Sequence, residues 1–338
     1  MTQTTANADS RRPAGPYRRV WGGAVLVLVA LTVLSEAFWR AQGFQPSVTD
    51  DEQLWALERD CLDGAGPRTV VVLGRSRIQQ AFVPEIFEEM RPGYGFVQLA
   101  MGGDHPLALL RDIAENTDFA GVILCTVTAP SLLPELWNQQ QHRIDYYRRE
   151  WGPLKRMGRR VKTFLQAHLV ILAPELSLRE AIPDLLRGRV EPQFLRVSPR
   201  RHHRVDYRKV DLAKFTEDQL KTITRNVETY VALEGFTNWP DGLGRIEDWV
   251  NAIQRRGGRV VFLCCPTSGD YRAVEDKHFP REVFWDVFAA RTAADTIHFE
   301  DVPGMREFVC AEGSHLHIED THAFTRLLVE ELFPSPRR

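Results

Sequence analysis

The sequence predicts an α/β protein, a parallel sheet covered by helices on both faces, carried behind one N-terminal transmembrane helix. Three observations lead there. Short apolar runs at Thr69–Leu73, Ala120–Val127 and Arg259–Cys265 have the length and composition of buried strands. Helical patterns alternate with them, the rhythm of a parallel sheet joined by crossovers. Residues 20–39, VWGGAVLVLVALTVLSEAFW, carry a single charge, Glu36, and a membrane-spanning helix needs about 20 such residues.

Taken in order, residues 1–19 form a polar tail with Arg11, Arg12, Arg18 and Arg19, read as cytoplasmic because arginine stays inside. The span at 20–39 has Trp21, Phe38 and Trp39 near its ends, as interfacial aromatics do, and the acidic TDDE soon after it. The main domain is then extracytoplasmic, periplasmic or at the cell surface. A cleaved signal peptide is the alternative, since Ser35-x-Ala37 fits a small-residue cleavage site; it places the domain on the same side. Residues 40–66 are a linker with a short helix at Asp51–Cys61. The main domain, 67–334, opens with the strand Thr69–Leu73 and a helical pattern running to Met90. Tyr94–Ala100 is a strand, Pro106–Asn116 a helix and Ala120–Val127 a strand. The interval 130–240 interrupts the rhythm and reads as an insertion, a cap or a membrane-facing arm, with helical stretches such as Val161–Ile171. The alternation then resumes with helix Ile246–Gln254, strand Arg259–Cys265, helix Arg281–Ala293, strand Thr296–Phe299 and helix Asp320–Leu332.

A net charge of −2 gives no general reason to invoke nucleic acid. The charge is uneven, however. Arg143 to Lys209 holds 17 Lys and Arg against 7 Asp and Glu. Such a block suits anionic membrane lipid or an acidic polymer, and equally an ordinary solvated surface. Within it, Arg200-Arg201-His202-His203-Arg204 reads as a solvated loop. The five cysteines lack a CxxC spacing, which argues against a zinc site. Cys125, Cys264 and Cys265 fall in apolar runs. Cys61 and Cys310 lie outside them, and an oxidising compartment permits a bond between them.

The chemistry-bearing residues sit at the two ends of the domain. In TVVVLGRSRIQQ a buried strand ends, Gly74 turns the chain and Ser76 opens a helix. In CAEGSHLHIED, Glu312 and His315 are three residues apart, before the last helix. A serine, a histidine and a carboxylate are the set acyl transfer through a covalent intermediate requires. Each piece has an ordinary structural reading as well: a helix cap for Ser76 and a turn histidine for His315. His315-x-His317 with Asp320 and His322 also allows a metallohydrolase as an alternative.

Gly74-Arg75-Ser76-Arg77 and Glu312-x-x-His315-Leu316 resemble the first and last blocks of the SGNH (GDSL-like) hydrolase superfamily, in the form found in membrane-anchored, extracytoplasmic members. The likeness covers roughly 40–130 and 245–332. It implies a three-layer α/β/α, flavodoxin-like fold and an esterase or O-acyltransferase that removes or transfers a small acyl group, acetyl, on a cell-surface polysaccharide or wall polymer. Some relatives work beside a multi-pass membrane acyltransferase. The resemblance assigns Ser76 as nucleophile, His315 as general base and acid, and Glu312 as the orienting carboxylate, with no cofactor. It assigns the oxyanion hole to the amides of Ser76 and Gly102, with Gly103 beside them. Thr128, near the position of the third-block asparagine that this chain lacks, is the candidate for the third oxyanion-hole donor. Arg77 reads as a surface arginine, an anchor for an anionic substrate, or a brace for the nucleophile turn. Arg75 replaces the usual Asp or Ser, and Glu312 the usual Asp. These departures leave a second reading open, a membrane-tethered scaffold or glycan-binding subunit that keeps the shape without turnover.

Overall fold

The computed structural model describes residues 17–177, 183, 185, 187 and 193–334. Arg11 and Arg12 of the predicted tail, and most of 178–192 in the basic block, lie outside the described residues.

The central strands are β1 (Thr69–Leu73), β2 (Gly95–Gln98) and β3 (Val122–Thr126). A separate antiparallel pair follows, β4 (Leu195–Val197) and β5 (His203–Val205). Strands β6 (Arg259–Cys264) and β7 (Asp295–His298) complete a five-stranded parallel sheet in the order β2-β1-β3-β6-β7. Alternate side chains of each strand feed opposite cores. Val71, Leu73, Ile123, Cys125, Val260 and Phe262 belong to one core. Val70, Val72, Leu124, Val261 and Leu263 belong to the other. The chain is therefore an α/β protein with a parallel sheet between helical layers.

The helices preceding β2 are α1 (Tyr17–Ala41), α2 (Glu52–Asp60), α3 (Ser76–Ala81) and α4 (Pro84–Met90). Helix α1 is long and apolar enough to cross a membrane, a property that a signal sequence near an N-terminus shares. Its last turn packs Trp39 against Phe44, Val170, Ala173 and Leu176. One helix was expected from Ser76 to Met90; two form. Phe82 and Val83 are extended; Pro84 disfavours the helical conformation at Val83, the residue before it.

Next come α5 (Leu107–Asn116), α6 (Gln141–Arg149), α7 (Pro153–His168), α8 (Leu212–Val231) and α9 (Leu243–Arg255). Further along are α10 (Gly269–His278), α11 (Arg281–Ala289) and α12 (Thr321–Leu332). Helix α10 fills a stretch in which the sequence announced no helix. None of its residues is buried, so it lacks the apolar periodicity that announces a helix. Helix α11 stops before the expected Ala293, where Thr292 Oγ1 and the Ala293 N–H donate to the Glu247 carboxylate.

Two expectations are corrected by burial. Arg200–Arg204 is not a solvated loop throughout. Arg201 and His202 are buried, and Arg201 donates to Asp50 Oδ1 at 2.7 Å and to the Gln98 carbonyl at 2.8 Å. A distant carboxylate makes that burial tolerable. Cys61 and Cys310 are both free thiols. Cys61 is exposed, whereas Cys310 is buried with its thiol 3.4 Å from the Pro266 carbonyl oxygen.

Candidate active site

Strand β1 delivers the chain to the carboxyl edge of the sheet between β2 and β3, where the strand order reverses. Ligands bind at such reversals in open α/β sheets. Gly74 makes the turn with φ of 152°. A Cβ at Gly74 would stand 2.0 Å from Thr126 Oγ1 and 2.8 Å from Ile78 Cγ2. Neither an L side chain's backbone preference nor the space allows one. Gly74→Ala is therefore expected to cost about 3 kcal/mol of stability, the upper range for overpacking. Chemical denaturation checks this, and an unchanged midpoint would refute the tight turn.

Arg75 is extended and Ser76 opens α3. Ser76 Oγ lies 2.8 Å from His315 Nε2 across 239 residues of sequence. On the other side of the ring, His315 Nδ1 meets Glu312 Oε1 in a short contact. The His315 N–H donates to Glu312 Oε2 at 3.2 Å, and the Ser314 hydroxyl donates to Glu312 Oε1 at 3.1 Å. Three donors thus converge on one carboxylate that is 1 % exposed. Burial works to raise the Glu312 acid. The hydrogen bond and charge of His315 outweigh it and hold the group below its ordinary value.

The histidine loop is itself held. Gly313 has φ of 92°, and a Cβ there would come within 2.6 Å of Tyr271 Cβ. The Ser268 N–H donates to the Gly313 carbonyl, and the Cys310 N–H donates to Ser268 Oγ, both at 2.9 Å. Tyr207 lies over the imidazole, ring centroids 6.4 Å apart and planes 27° from parallel. Its hydroxyl donates to Gln80 on α3 at 3.1 Å. Sequence reasoning missed Tyr207, because it does not sit near Ser76 or His315 along the chain.

A Cβ built on Gly102 would be 3.7 Å from Ser76 Cβ, so this backbone runs directly beside the serine. Gly103, with φ of 91°, presents its carbonyl to Arg75 Nη2 at 2.7 Å. Gln140 donates to the Asp104 carbonyl at 3.1 Å, and Gln139 accepts the His105 N–H at 2.9 Å. The segment after β3 thus clamps the Gly102–Gly103 turn. Thr128 also lines the cleft. Its N–H donates to Ser131 Oγ at 3.0 Å, and the two hydroxyls are 3.2 Å apart.

Arg77 is not a free surface arginine. Its guanidinium is 2.7 Å from Glu275 Oε1 and 5.3 Å from the Tyr271 ring centroid. It ties α3 to α10, the helix the sequence did not announce. The cleft around Ser76 and His315 encloses about 1020 Å³, open mouth included. Thr222, Asn226 and Tyr230 of α8 form one wall. They recur at helical spacing, a signal present in the sequence but indistinguishable there from a solvated helix face. Among the described residues, no group of three or more His, Cys, Asp or Glu is placed to hold a metal ion.

No family model matches the chain, and no curated protein matches it. Among solved structures, the crystal structure of TesA is similar to it over 79% of this chain and 98% of TesA, at 12% identity and a TM-score of 0.33. So remote a likeness assigns neither family nor activity.

Proposed function

We propose that this protein is a membrane-anchored serine esterase or O-acyltransferase of the SGNH type. The observation that carries the reading is the relay from Ser76 Oγ through His315 to the buried Glu312. The sheet order agrees with it, being that of flavodoxin-like folds. In this reading Nδ1–H of His315 donates to Glu312, which leaves Nε2 to accept the serine proton. Ser76 Oγ attacks the acyl carbonyl carbon, and its proton passes to His315 Nε2. The tetrahedral oxyanion is met by the Ser76 and Gly102 amides. His315 then returns the proton to the departing alkoxide, leaving the acyl group on Ser76. Water completes hydrolysis, or an acceptor hydroxyl completes transfer, by the same steps in reverse. Polar side chains on α8, Thr222 and Asn226 among them, suit a hydroxyl-rich glycan. An extracytoplasmic cell-surface polysaccharide or wall polymer carrying acetyl groups is the proposed substrate, and a multi-pass acyltransferase a proposed partner.

One observation favours the non-catalytic scaffold instead. The third-block asparagine is missing, and the Thr128 hydroxyl already faces Ser131. Labelling of the full-length chain with a fluorescent fluorophosphonate separates the two readings. Labelling lost in both Ser76→Ala and His315→Ala is the expected result. A folded wild-type chain that takes no label would move the assignment to the scaffold.

A further inference from the structure

Helix α7 is amphipathic the wrong way round for a soluble protein. Its buried positions are Arg159, Thr163 and Gln166, at 1 %, 8 % and 6 % exposure. Its outward positions are Leu154, Met157, Val161 and Phe164, at 81 %, 63 %, 54 % and 63 %. Spacings of three and four residues put these four on one stripe, with Leu165 at its margin. Arg159 Nη1 donates inward to Asp51 Oδ2 at 2.7 Å, and Gln166 Nε2 to Thr49 Oγ1 at 3.0 Å. The polar face is thus locked against the linker and α2, and the apolar face cannot turn inward.

Charge identifies what the stripe meets. Residues 153–168 contain five Lys and Arg and no Asp or Glu. On the helical wheel, Lys155 and Lys162 fall on one flank of the stripe and Arg160 on the other, and all three are exposed. An apolar stripe with basic margins is the pattern of a helix lying in the boundary of an anionic bilayer. Position supports the same occupant. Arg40, in the last turn of α1, donates to the His168 carbonyl at 2.9 Å, and Glu36 accepts the Val170 N–H at 2.8 Å. The end of the apolar anchor is therefore fastened to the end of α7.

We propose that α7 is a second membrane contact. It lies in the interface of the bilayer that α1 enters, with Leu154, Met157, Val161 and Phe164 among the upper acyl chains and Lys155, Arg160 and Lys162 at anionic headgroups. The domain then has a fixed orientation on the membrane instead of swinging from a single tether. This goes beyond the esterase reading and does not depend on it.

The test uses the full-length chain in nanodiscs containing phosphatidylglycerol, with exposed Cys61 replaced by serine. Nitroxide labels are placed singly at Met157→Cys, Val161→Cys and Phe164→Cys. A label at Leu28→Cys in α1 reports insertion, and one at Val309→Cys, 65 % exposed, reports water. Collision with oxygen should exceed collision with a water-soluble nickel chelate at all three stripe positions and at Leu28, and the reverse should hold at Val309. Nickel excess on the stripe would overturn the proposal by placing it in water. Shielding from both reagents would overturn it in favour of a protein cover. Lys155→Glu with Arg160→Glu should lower the oxygen excess at Val161 in phosphatidylglycerol discs but not in phosphatidylcholine discs. An equal response in both would remove the headgroup assignment.

Discussion

Ser76→Ala and His315→Ala are each expected to lower turnover of an activated acetyl ester by about 10⁶-fold, and together by little more than either alone. The reason is the geometry. A serine hydroxyl is a poor nucleophile until a base takes its proton, and in the proposed reading that base is His315, whose Nε2 lies 2.8 Å away. Losing either member removes the same step, so the losses do not multiply. Glu312→Gln keeps the volume and loses the charge. It is expected to cost about 10⁴-fold, because an amide holds the ring in the wrong tautomer and no longer stabilises the imidazolium. Residual rate should persist in all three, from the amides beside Ser76. Steady-state kinetics on the single and double variants checks this. Singles whose losses multiply in the double variant would mean that serine and histidine do not act as a unit. Activity surviving Ser76→Ala would end the assignment.

The second large effect is on stability. Asp50→Ala is expected to cost about 3–5 kcal/mol, the usual penalty for stripping one partner from a buried ion pair. Asp50 receives Arg201 Nε at 2.7 Å and Gln79 Nε2 at 2.8 Å, and sits 2.8 Å from His203 Nε2. Without it, among the described residues, the buried Arg201 guanidinium keeps the Gln98 carbonyl as a hydrogen-bond acceptor and the Glu58 carboxyl as a charged neighbour. Asp50→Ala with Arg201→Met should therefore be milder than Asp50→Ala alone. Burial pushes the Asp50 acid up, but Arg201 and His203 prevail and hold it well below its ordinary 3.8. The stabilisation is then complete above that ordinary value and is lost as the pH falls below it. Denaturant titrations at neutral and acidic pH test both points. A single-variant loss below about 1 kcal/mol, the scale of a surface pair, would show that the cluster is not buried in solution. Activity should fall with it, since β5 leads into Tyr207, which packs on His315.

Strands β1, β3 and β6 were legible because each is a local apolar run, and the sheet between helices follows from their alternation with helical periods; the short pair β4 and β5, with an arginine in each, was not. The nucleophile turn was legible for the same reason: Gly74 and Ser76 follow directly on β1. Glu312 and His315 were legible as a spacing. That they face Ser76 came from a resemblance in the sequence and from contacts in the fold. Arg77 was left open between three readings and Arg201 was misread as solvated, because their carboxylates lie 198 and 151 residues away. A sequence window cannot see such partners. The basic block was legible as charge, but not that α7 would bury Arg159 and expose Leu154. Hydrophobic patterning reports which side chains water rejects, and it does so within a few turns of chain. Which charges are neutralised, and whether an apolar face meets the core or something outside the protein, depends on groups that only folding brings together. The sequence by itself determined the sheet, the serine turn and the long apolar N-terminal helix. The tertiary structure alone decided the buried charge pairs, the ring over His315 and the outward face of α7.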